Sequence, residues 1–121
     1  MITLRSHGFK FGKPDCNYFF DVSLFKNPWR DDSIRNEADL EKRRNMIMEF
    51  MNKQEGCSAF VDKLASLIRL LYVLYPKENL QIALCCSAGE YRSPALVELL
   101  SCELSKAGIE HKVEQSKYSK I

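Results

Sequence analysis

Residues 85–95 read CCSAGEYRSPA, which places Arg92 six positions after Cys86. An apolar run precedes this segment and a helix-like run follows it. A strand that feeds a short loop into a helix N-terminus presents unpaired backbone N–H groups and the positive end of the helix dipole. Ala88 and Gly89 are small, so the chain can curl tightly and an anion can approach its backbone. Arg92 can fold back and grip two phosphate oxygens with its planar fork. Ser93 is placed to cap the helix, and Pro94 suits its first turn. Phosphate binding is the economical reading, with Cys86, Ser87, Ala88, Gly89, Glu90, Tyr91, Arg92 and Ser93 as the binding segment.

Two other readings use the same residues. If Cys86 lies at the bottom of the cradle, the dipole and Arg92 would favour its thiolate, the form that phosphoryl-cysteine chemistry needs. Cys-x5-Arg-Ser/Thr is the signature loop of cysteine phosphatases, and CSAGEYRSP is similar to it, including the RSP ending of the low-molecular-weight class. In that alternative Cys86 and Arg92 are catalytic, and Asp21, Asp31 and Asp32 are the default candidates for the leaving-group acid. Against it, Glu90 puts a carboxylate in the loop, and Cys85 stands where classical phosphatases commonly have histidine. The third reading is structural: a buried cysteine at a strand end, and an arginine in a helix-capping ion pair.

The elements that must position this loop follow from patterning. ITLRSHGF reads as a strand closed by KFGKPD, and NYFFDVSLF as a second, closed by KNPW. NEADLEKRRNMIMEFMNKQ is strongly helical, with Asn36 as its expected N-cap, and Gly56 ends it. CSAFVDKLASLIRLLYVLYP forms another helix, stopped by Pro76. LQIALCC is apolar almost throughout, the pattern of a strand buried on both faces. SPALVELLSCELSKAG returns to helix with Gly108 at its end, and IEHKVEQSKY closes the chain as a strand. The order β-β-α-α-β-α-β predicts one α/β layered domain over residues 1–121, with a mostly parallel sheet of about four strands flanked by helices. In such sheets ligands sit beyond the carboxyl ends of the strands, so KFGK, SLFKNPWR, SAGEYRS and SKYSK are expected to converge on one rim.

Bulk properties narrow the classes. Apolar residues make up 45% and charged residues 28%, ordinary for a soluble globular domain. A net charge of +2 does not by itself argue for nucleic acid. The five cysteines are odd in number and lack CxxC or CxH spacing, which points away from a disulfide scaffold or a metal site, and no cofactor is expected. The charged opening MITLRSHGFKFG is unlike a secretory leader. The apolar stretch at 64–75 is interrupted by Ser66 and Arg69 and is too short for a bilayer. A cytoplasmic, reduced protein without membrane contact is expected.

SHGFKFGKPDCNYFFDVSLFKNP resembles the opening of the RapZ C-terminal domain family, whose pattern runs S-F-G-[FY]-K-[YF]-G-x-P and then D-[VM]-R-[FC]-L-P-N-P. That family's later loop, G-C-T-G-G-x-H-R-S, aligns with Leu84 to Ser93, and the resemblance spans essentially the whole chain. It implies a non-catalytic domain that senses an amino-sugar phosphate, glucosamine-6-phosphate, and belongs to an adaptor that binds small regulatory RNAs. The family's Walker-type nucleotide site lies in a separate domain; no G-x-x-x-x-G-K-[ST] occurs here. Carried over by position, the sugar-phosphate loop is Ser87, Ala88, Gly89, Tyr91 and Arg92, and Ser6, Gly8, Lys10, Gly12, Asp21, Asn27 and Pro28 line the rim. Ser23 replaces an arginine, Tyr91 a histidine, Ala88 a glycine and Lys26 a proline of the family pattern.

The tail HKVEQSKYSKI is shorter than the family's basic tail, yet Lys112, Lys117 and Lys120 interleave with Tyr118 as candidate RNA contacts. EKRR at 41–44 is a second positive patch. With so small a net charge, RNA binding would be weak or would need a homo-oligomer to multiply contacts. Trp29 reads first as a loop anchor, and the group Met46, Met48 and Met51 as core filler.

Overall fold

The computed structural model describes all of residues 1–121. The apolar run Leu80–Cys86 forms β3 and lies inside the sheet, as its two-sided hydrophobicity requires. β1 (Ile2–Gly8) pairs with it in parallel, from Ile2 opposite Leu80 to Gly8 opposite Cys86. β2 (Tyr18–Asp21) flanks β3 and β4 (His111–Glu114) flanks β1, both again parallel, giving the order β2-β3-β1-β4. The expected mostly parallel sheet is entirely parallel, so all four strands end on one rim.

Helices α1 (Asp32–Arg35), α2 (Leu40–Asn52), α3 (Cys57–Leu74) and α4 (Arg92–Lys106) complete the α/β fold. α4 packs on β1 and β3 and against α2 and α3. Ile2, Leu4, Ile82 and Leu84 of the strands meet Leu96, Leu100 and Leu104 of α4, Ile68 of α3, and Ile47 and Met51 of α2 in one buried core. Each such side chain contributes roughly 1.5–3 kcal/mol on burial. The opposite face of β1 is held by the short β1–β2 connection: Arg5 donates to the carbonyl of Asp15 at 2.8 Å, and the His7 ring bonds that of Gly12 at 2.8 Å. No helix is long and apolar enough to cross a membrane.

Boundaries depart from the sequence reading where side chains compete for the backbone. The second strand stops at Asp21, whose carboxylate accepts the Ser23 N–H at 2.8 Å and turns the chain. The last strand stops at Glu114, and the Ser6 hydroxyl takes the N–H of Ser116 at 2.7 Å. The expected helix from residue 36 begins only at Leu40, and a separate short helix precedes residue 36. Asp31 caps the short α1, Asn36 ends it, and Asp39 is the true N-cap of α2, accepting from the Lys42 N–H at 3.0 Å. Ser93 is not the cap of α4; Tyr91 holds that position with no side-chain cap bond. Gly108 does follow the C-cap, with φ +73°.

Candidate functional site

Between β3 and α4 the chain accepts hydrogen bonds but leaves its own backbone donors unused. None of the backbone N–H groups from Ser87 to Ser93 donates to a backbone or side-chain acceptor within the protein. Three of these residues, Gly89, Tyr91 and Ser93, are buried. Orphaned N–H groups at buried positions are rare, so seven in succession form a donor-rich strand–loop–helix that an anion would satisfy. Two glycines make the curl possible. Gly89 has φ +68°, and a Cβ there would stand 2.9 Å from the Gly8 nitrogen. The loop is fastened from β1's side by the Lys10 N–H, which donates to the carbonyl of Ser87 at 3.0 Å.

Arg92 does more than the expected fork. Its Nη1 donates to the carbonyls of Ser23 (2.7 Å) and Phe25 (3.3 Å), and its Nη2 to the Ser87 hydroxyl (2.9 Å). It thereby ties the segment after β2 to the loop. The Nε–H and one Nη2–H remain for a ligand. Cys86 is 2% exposed, and its thiol donates to the Ser93 hydroxyl at 3.3 Å. That hydroxyl in turn faces the His7 carbonyl at 3.5 Å.

The loop opens on a cleft of about 130 Å³ lined by Cys86, Ala88, Glu90, Tyr91 and Arg92, with Asn27 and Trp29 opposite. Trp29 and Tyr91 stack at 4.9 Å with their planes 8° apart, and the Arg43 guanidinium lies 5.4 Å above Trp29. Burial pushes the Tyr91 phenol above its ordinary pKa, so it stays neutral where the family pattern has a titratable histidine. The Glu90 carboxylate pairs with Lys120 at 3.0 Å, and the Lys120 N–H donates to the Glu90 carbonyl, so the tail is clasped to the loop. Hydrogen bonds from Ser23 hold Asp21 below the usual carboxylate range, with a smaller contribution from Arg92. Asp21 therefore places a fixed negative charge at the end of β2.

The other rim residues expected from the motifs divide. Asn27 and buried Pro28 open the short 3₁₀ turn Pro28–Arg30, whose Asn27 cap accepts the Trp29 N–H at 3.0 Å. Ser6, Gly8, Lys117 and Tyr118 line a different pocket of about 340 Å³ between β1 and the tail, together with His7 and Phe11. Ser6 is structural there, donating to Gln115 at 2.6 Å. Phe11 stacks on Tyr118 at 4.0 Å and 6°, with the Lys10 and Lys117 ammonium groups each 5.2 Å from their neighbouring ring. Gly12 turns the chain after this stack with φ +101°. Lys112 of β4 pairs in register with Thr3 of β1 and does not line this pocket. The sequence reading missed the walls, namely Trp29 as lining, Arg43 above it and Phe11 beside Tyr118. The aromatics at NPWR and FKFG were the available signal.

A wholly parallel four-stranded sheet flanked by helices, with a donor-lined loop at its carboxyl rim, defines the class as a single α/β domain. The family model of the RapZ C-terminal domain matches residues 1–119, and the chain belongs to that family. Three similar proteins are each named a nucleotide-binding protein. That of Listeria welshimeri is 37% identical over 80% of this chain and 34% of its own length. That of Dinoroseobacter shibae is 32% identical over 88% of this chain and 36% of its own. That of Saccharophagus degradans is 31% identical over 87% and 37%. The chain thus spans little more than a third of the length of these relatives.

Proposed function

We propose that this domain is a non-catalytic sensor that binds the phosphate of a small phosphorylated molecule at residues 86–93. The observation that carries the reading is the run of seven unpartnered N–H groups from Ser87 to Ser93. Arg92 supplies the two further donors. The amino-sugar phosphate of the family fits the same site, because Asp21 offers an ammonium group a carboxylate on the rim that Arg92 shares. The buried Cys86 thiol, bonded to Ser93, supports binding without covalent chemistry. Residues 1–121 would act as one sensing unit, and the five free cysteines suit a reducing cytoplasm.

The test is the melting midpoint against phosphate, glucosamine-6-phosphate and glucosamine, for wild type and Arg92→Ala. Binding to the native state raises the midpoint by mass action. The phosphorylated ligands alone should raise it, and the variant should lose the shift. A shift that Arg92→Ala preserves would refute the site. Turnover of an aryl phosphate that Cys86→Ser abolishes would replace binding with the phosphatase mechanism.

A specific observation supports RNA as a second ligand: the column Lys10, Phe11, Tyr118, Lys117, two stacked rings between two cations. Rings of this kind stack bases while ammonium groups meet phosphates. Tyr118→Ala with Lys117→Ala should weaken single-stranded RNA binding in fluorescence anisotropy and flatten its salt dependence. Unchanged affinity would remove RNA from this surface. Lys120, engaged by Glu90, is better understood as a clasp of the loop.

A further inference from the structure

The cleft of about 130 Å³ is narrow beside the neighbouring clefts of the molecule and suits a phosphate rather than the body of a sugar phosphate. The rest of the ligand must leave it. Asn27 is shared with a neighbouring cleft of about 400 Å³, lined also by Lys26, Arg30, Asp31 and Phe50. The Lys26 and Arg30 side chains are exposed and take part in no ion pair of the protein. Asp31 is committed elsewhere, since its carboxylate accepts both the N–H (2.9 Å) and the hydroxyl (2.6 Å) of Ser33. The cleft keeps a net positive charge of one.

The backbone that presents these cations is unusually well pinned for a loop. Gln54 clamps Lys26 from both sides: its carbonyl accepts the Lys26 N–H at 2.7 Å, and its amide donates to the Lys26 carbonyl at 2.9 Å. Arg92, from the phosphate loop itself, holds the preceding carbonyls of Ser23 and Phe25. Asn27 uses its Oδ1 on the Trp29 N–H, which leaves its Nδ2 donors free where the two clefts join. With the backbone already fixed, only the side-chain rotamers of Lys26 and Arg30 remain to be ordered on meeting an anion.

Resting on the phosphate cradle proposed above, we infer that the full site takes a ligand with two anionic groups, and that an amino-sugar monophosphate fills only the first of its two subsites. One group sits on the 86–93 loop and the second lies between Lys26 and Arg30, with Asn27 Nδ2 donating to the atoms that join them. The ligand class is a small phosphorylated metabolite with a second phosphate or a carboxylate, and Phe50 offers its carbon skeleton an apolar wall.

Calorimetry with glucose 6-phosphate, glucose 1,6-bisphosphate and 6-phosphogluconate separates the cases, using wild type, Arg92→Ala and the double variant K26Q/R30Q. At least one probe with two anionic groups should bind wild type about tenfold more tightly than glucose 6-phosphate, the scale of one charge-assisted hydrogen bond. That advantage should fall to about onefold in K26Q/R30Q, whose melting midpoint checks its folding. Preference for the bisphosphate identifies a second phosphate, and preference for phosphogluconate a carboxylate. Equal affinities in wild type, or an advantage that survives K26Q/R30Q, would overturn the inference while leaving the cradle standing. Absence of binding by all three probes, or binding that Arg92→Ala leaves untouched, would overturn the cradle and the shared ligand together.

Discussion

A Cβ on Gly8 would stand 2.5 Å from the carbonyl carbon of Ala88 and 2.6 Å from its oxygen. Both are backbone atoms and cannot swing aside, so β1 and the loop after β3 can touch only where the side chain is hydrogen. Gly8→Ala should therefore cost about 1–3 kcal/mol, the usual range for overpacking, and should also displace Ala88 from its cleft. Urea denaturation reads the first effect and phosphate affinity the second. A variant with wild-type stability would mean that the two backbones are not held this close. The glycine was visible in SHGFKFG. Its partner across the sheet was not, because Gly8 and Ala88 are distant in sequence and only parallel pairing of β1 with β3 brings them together.

At the scale of elements, α2 shows how side-chain capping overrides a broader pattern. The helical composition after residue 36 is real, but Asn36 closes the preceding α1, and Asp39, which captures the Lys42 N–H, starts α2 only at Leu40. Asp39→Ala should destabilise the protein by about 1 kcal/mol, as loss of an N-cap does. Asn36→Ala should do much less, because Asn36 ends α1 and its side chain makes no cap bond. Thermal melts of the two variants decide it, and a larger loss at Asn36 would contradict the boundary. α4 behaves in the opposite way. Its first turn has no side-chain cap, which leaves its donors to the ligand that the loop is proposed to bind.

For the whole molecule, shielded thiols and a buried phenol set the response to alkali. Burial raises the pKa of Cys16, Cys57 and Tyr91, and pushes Cys85 from 9.0 up to about 12. An unfolded chain would ionise these thiols near pH 9, whereas the folded one keeps them neutral. By linkage, a raised folded pKa gives stability that is complete below the unfolded value and lost as pH rises through the folded one. The urea midpoint should be flat near neutrality and fall progressively between pH 9 and about 12. An unchanged midpoint across that window would show these thiols to be solvated in the native state.

What the sequence alone determined about this protein is local. The apolar run LQIALCC, the small residues at 88 and 89, and the breaks at Gly56 and Pro76 each act through the chain's own backbone, so strand, loop and helices were legible in order. The loop's unpaired donors were legible for the same reason, since a strand–loop–helix leaves them unpaired whatever surrounds it. Only the tertiary structure decided the walls and the second cleft. Trp29 meets Tyr91, Arg92 reaches the carbonyls of Ser23 and Phe25, and Gln54 clamps Lys26, all across separations of 28 residues or more. Such contacts depend on which strand lies beside which and on helix faces meeting across the sheet. Neither is encoded by the spacing of residues within any one element.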